Sequence, residues 1–252
     1  QRRNKTKERQ AKMKETRYFY VPDAASTNEL PAEEAAHASR VLRLESGDEV
    51  FLIDGTGCFF KAQLTLVTKG RCLYDIVERL PQKKTWNGRI AVAMAPTKVI
   101  DRVEWTLEKA TEIGIDEFSL LNCAFSERRN VKLERLDKIV VAAVKQSRKA
   151  WKPLLNDLQP FEDFVNRPRK GAKYIAHCYA EIDKKDLYGE LLQLNGDEEV
   201  TILIGPEGDF SIDEVRLAMG KGYVPVSLGQ SRLRTETAAL AATMIAQLAF
   251  RK

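Results

Sequence analysis

The chain has 252 residues, of which 44% are hydrophobic, so it can form one large domain or two smaller ones with a buried core. No uncharged apolar run reaches the ~18 residues of a membrane span, and the basic N-terminus lacks the apolar core of a secretory signal. Four widely spaced cysteines and two histidines argue against a zinc site and a histidine-based metal centre. We therefore expect a cytoplasmic protein with reduced thiols, no membrane partner and no metal.

The net charge of +5 is distributed unevenly along the chain. Residues 1–17 hold eight Lys or Arg and two Glu, and residues 127–152 hold nine Lys or Arg and three acidic residues. Residues 181–214, in contrast, hold two Lys and eleven acidic residues. The basic arm and the basic central segment predict a ligand with a phosphate backbone, although two solvated surfaces would explain the same charges.

The N-terminal third of the chain is typical of a small β-rich domain. Residues 1–16 contain almost no apolar side chains and indicate a flexible arm, or else expression-derived or upstream sequence. Residues 17–80 contain short apolar runs, and the Asp-Gly-Thr-Gly sequence at 54–57 is a hairpin signal. The predicted elements are strands at 18–21, 49–53, 58–67 and 73–77 and a helix at 32–41. This pattern indicates a small β-barrel, followed by a linker at 81–88.

Residues 89–252 alternate between strand-like and helical patterns, which predicts a mostly parallel α/β sheet. The predicted strands cover 90–94, 118–121, 174–177, 200–204 and 224–228. The predicted helices cover 99–113, 133–149 and 236–250. The last helix is apolar around much of its circumference, so we expect it to be buried on more than one side, in the domain core or in a dimer interface.

Two turns near the C-terminus carry the most specific signals. Residues 204–211 have the sequence Ile-Gly-Pro-Glu-Gly-Asp-Phe-Ser, and residues 228–238 have the sequence Leu-Gly-Gln-Ser-Arg-Leu-Arg-Thr-Glu-Thr-Ala. Each turn follows an apolar run and precedes a helical pattern. A strand that ends in a Gly-containing turn at the start of a helix is where open α/β sheets bind ligands. Together the turns predict one pocket formed largely by main-chain groups.

The first turn has a helix-start signal of its own, because Ser211 and Glu214 have the spacing of a capping box. It lacks the Gly-Lys-Ser/Thr triplet of a nucleotide phosphate loop and does not match the dinucleotide-binding fingerprint. Its glycines would permit close approach of an adenine or ribose edge. A capped turn with no ligand would show the same pattern.

In the second turn, Arg232 and Arg234 precede a helical pattern for which Thr235 and Thr237 are candidate caps. Two arginines at a helix N-terminus oppose the helix dipole, which indicates an anionic partner or a buried carboxylate. The alternative is that both arginines are surface residues paired with Glu207 or Glu236.

The two turns resemble the signature turns of the SPOUT superfamily of methyltransferases. More closely, the chain is similar to the bacterial ribosomal RNA small-subunit methyltransferase E family from residue 17 to its end. Two departures lie in the turns, where Ser231-Arg232 replaces Arg and an aliphatic residue, and Asp209 replaces a second glycine. Further matching segments, in the same order as in the family, are 17–20, 41–43, 47–48, 105–114, 126–128 and 146–148.

The resemblance implies a PUA-like N-terminal domain, a C-terminal SPOUT domain with a deep trefoil knot, a homodimer, and S-adenosylmethionine as methyl donor. It also implies that the enzyme methylates the imide nitrogen (position 3) of a specific uridine in small-subunit ribosomal RNA, free or in the assembled subunit. The competing hypothesis is a non-catalytic RNA-binding or ribosome-assembly factor on the same fold. The paired turns favour the enzyme, because a protein that only binds RNA needs no cofactor cleft.

The resemblance and the chemistry together give candidate site residues. Arg234 matches the family arginine and would stabilise charge on the uracil carbonyl oxygens when the imide proton leaves. Glu207 and Glu236 are candidates for the general base, although both could instead hold arginines or cap a helix. His37 is either an RNA contact or an ordinary surface residue, and not the base. The expected cofactor contacts are Leu203, Ile204, Gly205, Pro206, Gly208, Leu228, Gly229, Ser231 and Leu233. The expected RNA contacts are Arg17, Arg40, Arg43, Arg128, Arg129 and Arg148.

Overall fold

The computed structural model describes residues 17–195 and 198–251, so the predicted arm at 1–16 lies outside the described residues. The chain divides into two compact units. The first unit contains the described residues up to Gln82 together with Arg148–Ala150, and the second contains Lys83–Ser147 and the chain from Trp151 onward. None of the helices in the described ranges is long and apolar enough to cross a membrane.

Four strands form the sheet of the first unit, in the order β1-β2-β3-β4. Strand β1 pairs with β2 in parallel, and the other two pairs are antiparallel. A short helix, α1 (Ala32–Ala36), continues as a π-helical turn (His37–Val41) between β1 and β2. The strands are β1 Tyr18–Tyr20, β2 Glu49–Ile53, β3 Cys58–Val67 and β4 Cys72–Pro81. All four strands predicted for this region are therefore present.

The predicted hairpin between β2 and β3 is confirmed by their antiparallel pairing. Asp54 Oδ1 accepts hydrogen bonds from the amides of Thr56 at 2.8 Å and Cys58 at 3.1 Å. Gly55 and Gly57 have φ angles of 79° and 112°, which glycine adopts at little cost. Side chains alternate between the two faces of a strand, and one face builds the core of this unit with residues that include Val50, Leu52, Phe60, Ala62 and Leu64.

The second unit is built on a seven-stranded sheet in the order β7-β6-β5-β10-β8-β11-β9. Every pair of neighbouring strands is parallel, as the alternating pattern predicts. The central strands β5 and β10 are buried along most of their length, so they appear in the sequence as continuous apolar runs. The strands are β5 Arg89–Met94, β6 Glu117–Asn122, β7 Leu154–Pro160, β8 Ala172–Ala176, β9 Lys185–Asp186, β10 Glu199–Ile204 and β11 Val224–Ser227.

Helices pack on this sheet in two groups. Helix α2 packs against α3 and α7, and α4 packs against α6. The second group joins the sheet in one core cluster, in which Phe161 and Val215 are buried with Leu203 of β10 and Ile175 of β8. The helices are α2 Ile100–Ile113, α3 Leu133–Gln146, α4 Phe161–Asn166, α5 Leu187–Leu191, α6 Ile212–Gly220 and α7 Thr235–Phe250.

The structure differs from the sequence prediction in short or exposed elements. Strands β7 and β9 and helices α4 and α5 were not predicted. Strand β7 lies at the edge of the sheet and its side chains are half-buried or exposed, so it shows no apolar run. The helix predicted for 133–149 ends at Gln146, because Arg148 adopts a left-handed φ of 52°.

Candidate functional site

The first turn joins β10 to α6, and its conformation depends on Gly205 and Asp209. A Cβ at Gly205 would lie 3.0 Å from the Phe210 nitrogen and 3.2 Å from the Asp209 carbonyl carbon, so a larger residue would shift the turn. Asp209 has a left-handed φ of 68°, which explains why a glycine also suits this position. Ser211 and Glu214 form the predicted capping box, with hydrogen bonds of 2.8 and 3.2 Å, and this prediction is confirmed.

The second turn joins β11 to α7. The Ser227 hydroxyl donates to the Gly229 carbonyl at 2.9 Å and accepts from the Gly229 amide at 3.2 Å. Gly229 has a φ of 119°, a conformation that favours glycine. The prediction that Thr235 or Thr237 caps α7 is wrong, because the N-cap residue is the extended Arg234, whose side chain makes no capping hydrogen bond.

A third segment, which sequence reasoning missed, follows β8 at the same edge of the sheet. The Cys178 amide donates to Asp209 Oδ2 at 2.8 Å, and the Tyr179 hydroxyl donates to the Phe210 carbonyl at 2.7 Å. These bonds tie the end of β8 to the first turn. The His177 side chain is buried, and neither of its ring nitrogens has a hydrogen-bond partner in the part of the chain that the structure describes.

These three segments line one pocket of about 580 Å³, a volume typical of small-molecule sites. Two residues expected to contact a cofactor are not among the residues that line the pocket: the Leu203 side chain is buried in the hydrophobic core, and Gly208 lies against Phe125. His177 and Cys178 also line the pocket, which no local sequence pattern indicates. The expected cofactor residues that do line the pocket are Ile204, Gly205, Pro206, Leu228, Gly229, Ser231 and Leu233.

The candidate catalytic residues lie in or beside this pocket. Arg234 and Glu207 line it, and Glu207 Oε1 accepts a hydrogen bond from the Lys98 amide at 2.9 Å. Glu236 is buried, and its Oε1 lies 3.3 Å from Arg102 Nη1. Arg102, on α2, also lines the pocket. Sequence reasoning missed Arg102, because a single arginine within a helix carries no local signal.

The environment of the third segment sets the protonation states of His177 and Cys178. Burial lowers the pKa of the His177 imidazole, and the Lys184 ammonium group lowers it further. The ring is therefore neutral near pH 7 and offers one donor and one acceptor. Burial also raises the pKa of the Cys178 thiol, with a further contribution from the Asp209 carboxylate, so this thiol stays protonated.

The pocket wall combines charged and apolar groups. Three arginines, Arg102, Arg232 and Arg234, line it together with the acidic residues Glu207 and Asp209. Other lining residues come from the two turns and from apolar positions. The apolar residues include Ile204, Val226, Leu228 and Leu233. Such a wall suits a ligand that has an apolar ring, hydrogen-bonding edges and ionised groups.

Two expected RNA contacts lie close to the loop between β5 and α2. Arg128 Nε lies 3.1 Å from the Thr97 carbonyl oxygen and its Nη2 lies 2.5 Å from the Lys98 carbonyl oxygen, both as hydrogen bonds. Arg129 is exposed and donates to the Ala124 carbonyl at 3.4 Å. Both side chains bind carbonyl oxygens, so their positive charges are not neutralised by these contacts.

The other expected RNA contacts belong to the first unit. Arg40 and Arg43 are exposed, and Arg17 is half-buried. The Arg148 guanidinium lies 5.4 Å from the centroid of the Tyr18 ring, a cation–π geometry. His37 is exposed as well, with its ring 6.4 Å from that of Phe19.

Comparisons with known sequences agree with this architecture. The sequence model of the RNA methyltransferase domain matches residues 84–247, and that of the RNA methyltransferase PUA domain matches residues 30–77. Ribosomal RNA small subunit methyltransferase E of Rickettsia conorii is 30% identical over 225 residues, which cover 87% of this chain and 88% of the relative. The protein of the same name from Synechocystis is 29% identical over 215 residues, which cover 84% and 70%.

Solved structures show the same likeness over almost the whole chain. A probable rRNA-methyltransferase from Porphyromonas gingivalis is 41% identical, with a TM-score of 0.83 and coverage of 90% of this chain and 95% of its own. A putative methyltransferase from Legionella pneumophila, in complex with S-adenosylmethionine, is 29% identical, with a TM-score of 0.83 and coverage of 93% and 98%. Ribosomal RNA small subunit methyltransferase E from Neisseria gonorrhoeae, bound to S-adenosylmethionine, is 25% identical, with a TM-score of 0.76 and coverage of 91% and 95%. With the domain matches and the R. conorii relative, this confirms the predicted family: the chain belongs to the ribosomal RNA small subunit methyltransferase E family, with an RNA methyltransferase domain and a PUA domain.

Proposed function

We propose that the protein uses S-adenosylmethionine to methylate the imide nitrogen (position 3) of a specific uridine in small-subunit ribosomal RNA. The observation that carries the proposal is the pocket at the carboxyl ends of β8, β10 and β11, built around two Gly-containing turns. The relatives from L. pneumophila and N. gonorrhoeae hold S-adenosylmethionine, and the family is named for its ribosomal RNA substrate.

The groups that line the pocket fit this cofactor. Main-chain groups of the two turns suit the hydrogen-bonding edges of an adenosine, and the apolar side chains suit the faces of its ring. The buried His177 imidazole has no partner among the described residues, and buried polar groups are normally hydrogen-bonded, so it is suited to a ligand. The guanidinium groups of the wall suit a carboxylate. When bound, S-adenosylmethionine supplies an electrophilic methyl group on its sulfonium.

Arg234 has the central role in the proposed chemistry. When the imide proton of uracil leaves, negative charge spreads onto the two flanking carbonyl oxygens. A guanidinium keeps its positive charge at any physiological pH, so Arg234 can stabilise that charge without a change in its own protonation. Arg234 lies at the start of α7 and lines the pocket, which supports this role.

Glu207 and Glu236 remain the candidates for accepting the imide proton. Glu207 is on the pocket wall, and one of its oxygens is held by the Lys98 amide, which fixes its position. Glu236 pairs with Arg102, which suits it to holding that arginine in place. We therefore rank Glu207 above Glu236 as the base.

We propose that a PUA domain at 17–80 and a methyltransferase domain at 89–252, joined by residues 81–88, both contact the RNA. Phosphate contacts position a nucleic acid without reading its sequence. The residues proposed for this role are Arg17, Arg40, Arg43, Arg128, Arg129 and Arg148, together with the basic arm at 1–16.

We further propose a homodimer that uses the exposed side of α7. This helix buries Ala239, Ala242 and Ala246 within its own unit. Its Met244 and Leu248 side chains are 44% and 43% exposed, which leaves an apolar strip for a second copy. Light scattering that gave a monomer mass at micromolar concentration would contradict the dimer. The deep trefoil knot is proposed from the family resemblance, and the cytoplasmic site of action from the widely spaced cysteines.

Two measurements test the proposed function. Isothermal calorimetry with S-adenosylhomocysteine should show binding, and mapping of modified uridines in small-subunit ribosomal RNA should show one 3-methyluridine that is lost without the gene. Absence of S-adenosylhomocysteine binding would favour the non-catalytic RNA-binding or ribosome-assembly factor. Binding together with a modification at another atom or base would overturn the proposed target alone.

A further inference from the structure

Phe125 lies in the loop that follows β6, and 53% of its surface is exposed. The loop is at the carboxyl edge of the sheet, which is also the edge of the candidate pocket. An exposed phenylalanine ring forfeits the free energy that its burial would provide, and it has no polar group to interact with water. The ring therefore contributes little to the stability of the fold.

The exposure of Phe125 does not result from a loose loop. The Ala124 amide donates to Glu214 Oε1 at 2.8 Å, which links the loop to the capping box of α6. The Cys123 amide donates to the Ser126 hydroxyl at 2.9 Å, and the Ser126 amide donates to the Cys123 carbonyl at 3.1 Å. The backbone on both sides of Phe125 is thus fixed, although about half of the residue's surface, 53%, is exposed.

Phe125 also explains the glycine at position 208. A Cβ at Gly208 would lie 3.1 Å from the Phe125 Cβ, so the absence of a side chain there leaves room for Phe125. The neighbours of Gly208 in the chain, Glu207 and Asp209, both line the pocket. Phe125 is therefore held beside the rim of the pocket.

Two arginines follow Phe125 in the chain, at positions 128 and 129, and the acidic side chain of Glu214 holds the amide of residue 124. Arg129 donates to the carbonyl of Ala124, the residue before Phe125, and Arg128 donates to the carbonyls of residues 97 and 98. These bonds go to carbonyl oxygens, which carry no net charge, so the bonds do not neutralise either guanidinium. Single-stranded and flipped bases are recognised by aromatic rings that stack on them, next to basic groups that contact phosphates.

We propose that Phe125 is a stacking platform for a nucleobase of the RNA, positioned beside the base that enters the pocket. The inference rests on the proposed function, because that function makes an RNA the ligand at this edge of the sheet. An aromatic ring that stacks holds a base without selecting its identity, so Phe125 positions the RNA while the pocket performs the chemistry.

The test measures the affinity of the full chain for fluorescein-labelled small-subunit ribosomal RNA by anisotropy, with saturating S-adenosylhomocysteine and at several salt concentrations. Phe125→Ala should weaken binding roughly 5- to 150-fold, the effect of losing one stacked base. Phe125→Trp should restore binding, and its added fluorescence should be quenched by oligouridylate. Leu154→Ala, which removes a side chain of similar exposure (52%) from the start of edge strand β7, is the matched control and should bind normally.

The salt dependence of RNA affinity distinguishes a stacking contact by Phe125 from a phosphate contact by Arg129. Phe125→Ala should leave the slope of log affinity against log salt unchanged, whereas Arg129→Ala should reduce that slope by about one. Wild-type affinity in Phe125→Ala, failure of Phe125→Trp to restore binding, or a matching loss of S-adenosylhomocysteine affinity would overturn the inference.

Methylation by the wild type and RNA binding by Phe125→Ala together distinguish a failure of this inference from a failure of the proposed function. If the wild-type protein methylates a uridine and Phe125→Ala binds RNA equally well, only the stacking role fails. If Phe125→Ala loses RNA affinity as described but the wild-type protein methylates no RNA, the proposed function fails and the platform stands as a feature of an RNA-binding protein. Binding of a protein partner that depends on Phe125, with unchanged RNA affinity, would overturn the platform.

Discussion

At the amino ends of β5 and β6, the buried Glu117 carboxylate is paired through both of its oxygens. Arg89 donates to Oε2 at 2.6 Å, and Arg169 donates to Oε1 at 2.8 Å. Asn156 and Ser119 also donate to Oε1, at 3.0 and 3.2 Å. Burial alone would raise the pKa of Glu117, but the hydrogen bonds and charges of the two arginines outweigh burial and lower the pKa. Side chains of the protein itself thus supply the hydrogen-bond donors and the opposite charges for the Glu117 carboxylate.

The carboxyl end of the same sheet is different. Both ring nitrogens of His177 and the Oε2 of Glu236 are buried without a hydrogen-bond partner, as far as the structure describes the chain. Arg232 and Arg234 line an open pocket. Among the described residues, the amino end also has buried polar atoms without a hydrogen-bond partner, the Tyr223 hydroxyl and Trp151 Nε1, and burial raises the pKa of Tyr223 to about 12.

The difference shows which end of the sheet is built for a ligand. A buried polar group without a partner costs about 1–3 kcal/mol, so such groups persist where a ligand later satisfies them. Arginine residues occur at both ends and do not distinguish them. What distinguishes them is that Arg232, Arg234 and the unpaired His177 line an open pocket at the carboxyl end, whereas Arg89 and Arg169 pair with Glu117 at the amino end. Changes at the amino end should therefore affect stability, and changes at the carboxyl end should affect binding and turnover.

The largest effect is expected from Gly205→Val, which should abolish S-adenosylhomocysteine binding in calorimetry. The new side chain would start 3.0 Å from the Phe210 nitrogen and would displace the first turn from the pocket wall. The control is Gly220→Ala, since a Cβ at that position meets nothing within 4 Å. Wild-type affinity in Gly205→Val would show that the turn does not form the cofactor site.

Arg234→Ala should slow single-turnover methylation by about two to three orders of magnitude, the usual effect of removing one pre-aligned group that stabilises charge in the transition state. Its affinity for S-adenosylhomocysteine should change far less. Arg232→Ala should be milder, because only Arg234 matches the family arginine. A wild-type rate for Arg234→Ala at saturating cofactor and RNA would assign Arg234 a structural or phosphate-binding role.

At the amino end, Glu117→Gln should lower the free energy of unfolding by about 1–3 kcal/mol at pH 7, without changing S-adenosylhomocysteine affinity. The lowered pKa of Glu117 means that its stabilisation is present above the ordinary pKa of a glutamate and is lost as the pH falls through the lowered value. The difference between the variant and the wild type in urea unfolding should therefore shrink at acid pH.

The control for that experiment is Glu134→Gln, which removes an exposed carboxylate 3.8 Å from Lys138. Exposed pairs of this kind contribute little, about 0–1 kcal/mol. A loss of cofactor affinity in Glu117→Gln, or an equal destabilisation by both variants, would contradict the division between the two ends of the sheet.

The smallest effect is expected from His177→Gln. Because the pKa of His177 is lowered in the folded protein, the unfolded chain takes up the proton first as the pH falls below about 6.5. Wild-type stability should therefore fall with pH between the ordinary histidine pKa and the lowered one, and the variant should lose less stability there. Urea unfolding at closely spaced pH values measures this, with the exposed His37→Gln as control. If stability depended on pH equally in His177→Gln and in the wild type, the lowered pKa of His177 would be contradicted.

Much of the fold and part of the site could be predicted from the sequence, because their signals are local. The hairpin at 54–57, the capping box of Ser211 and Glu214, and the buried strands β5 and β10 each depend on a few consecutive residues. The predicted cap of α7 is wrong because the local signal there is ambiguous. Several consecutive residues could occupy the N-cap position, and the backbone conformation puts Arg234 there.

The sequence by itself therefore determined the α/β class, the family and the two Gly-containing turns. Only the tertiary structure decided which distant residues join those turns. Glu207 accepts a hydrogen bond from the Lys98 amide, 109 positions away in the sequence, and Asp209 accepts one from the Cys178 amide, 31 positions away. These contacts depend on strand order, which brings the ends of β8, β10 and β11 together. The physical reason is that short-range patterns specify backbone conformation and burial, whereas proximity across the sheet is set by how the whole chain packs.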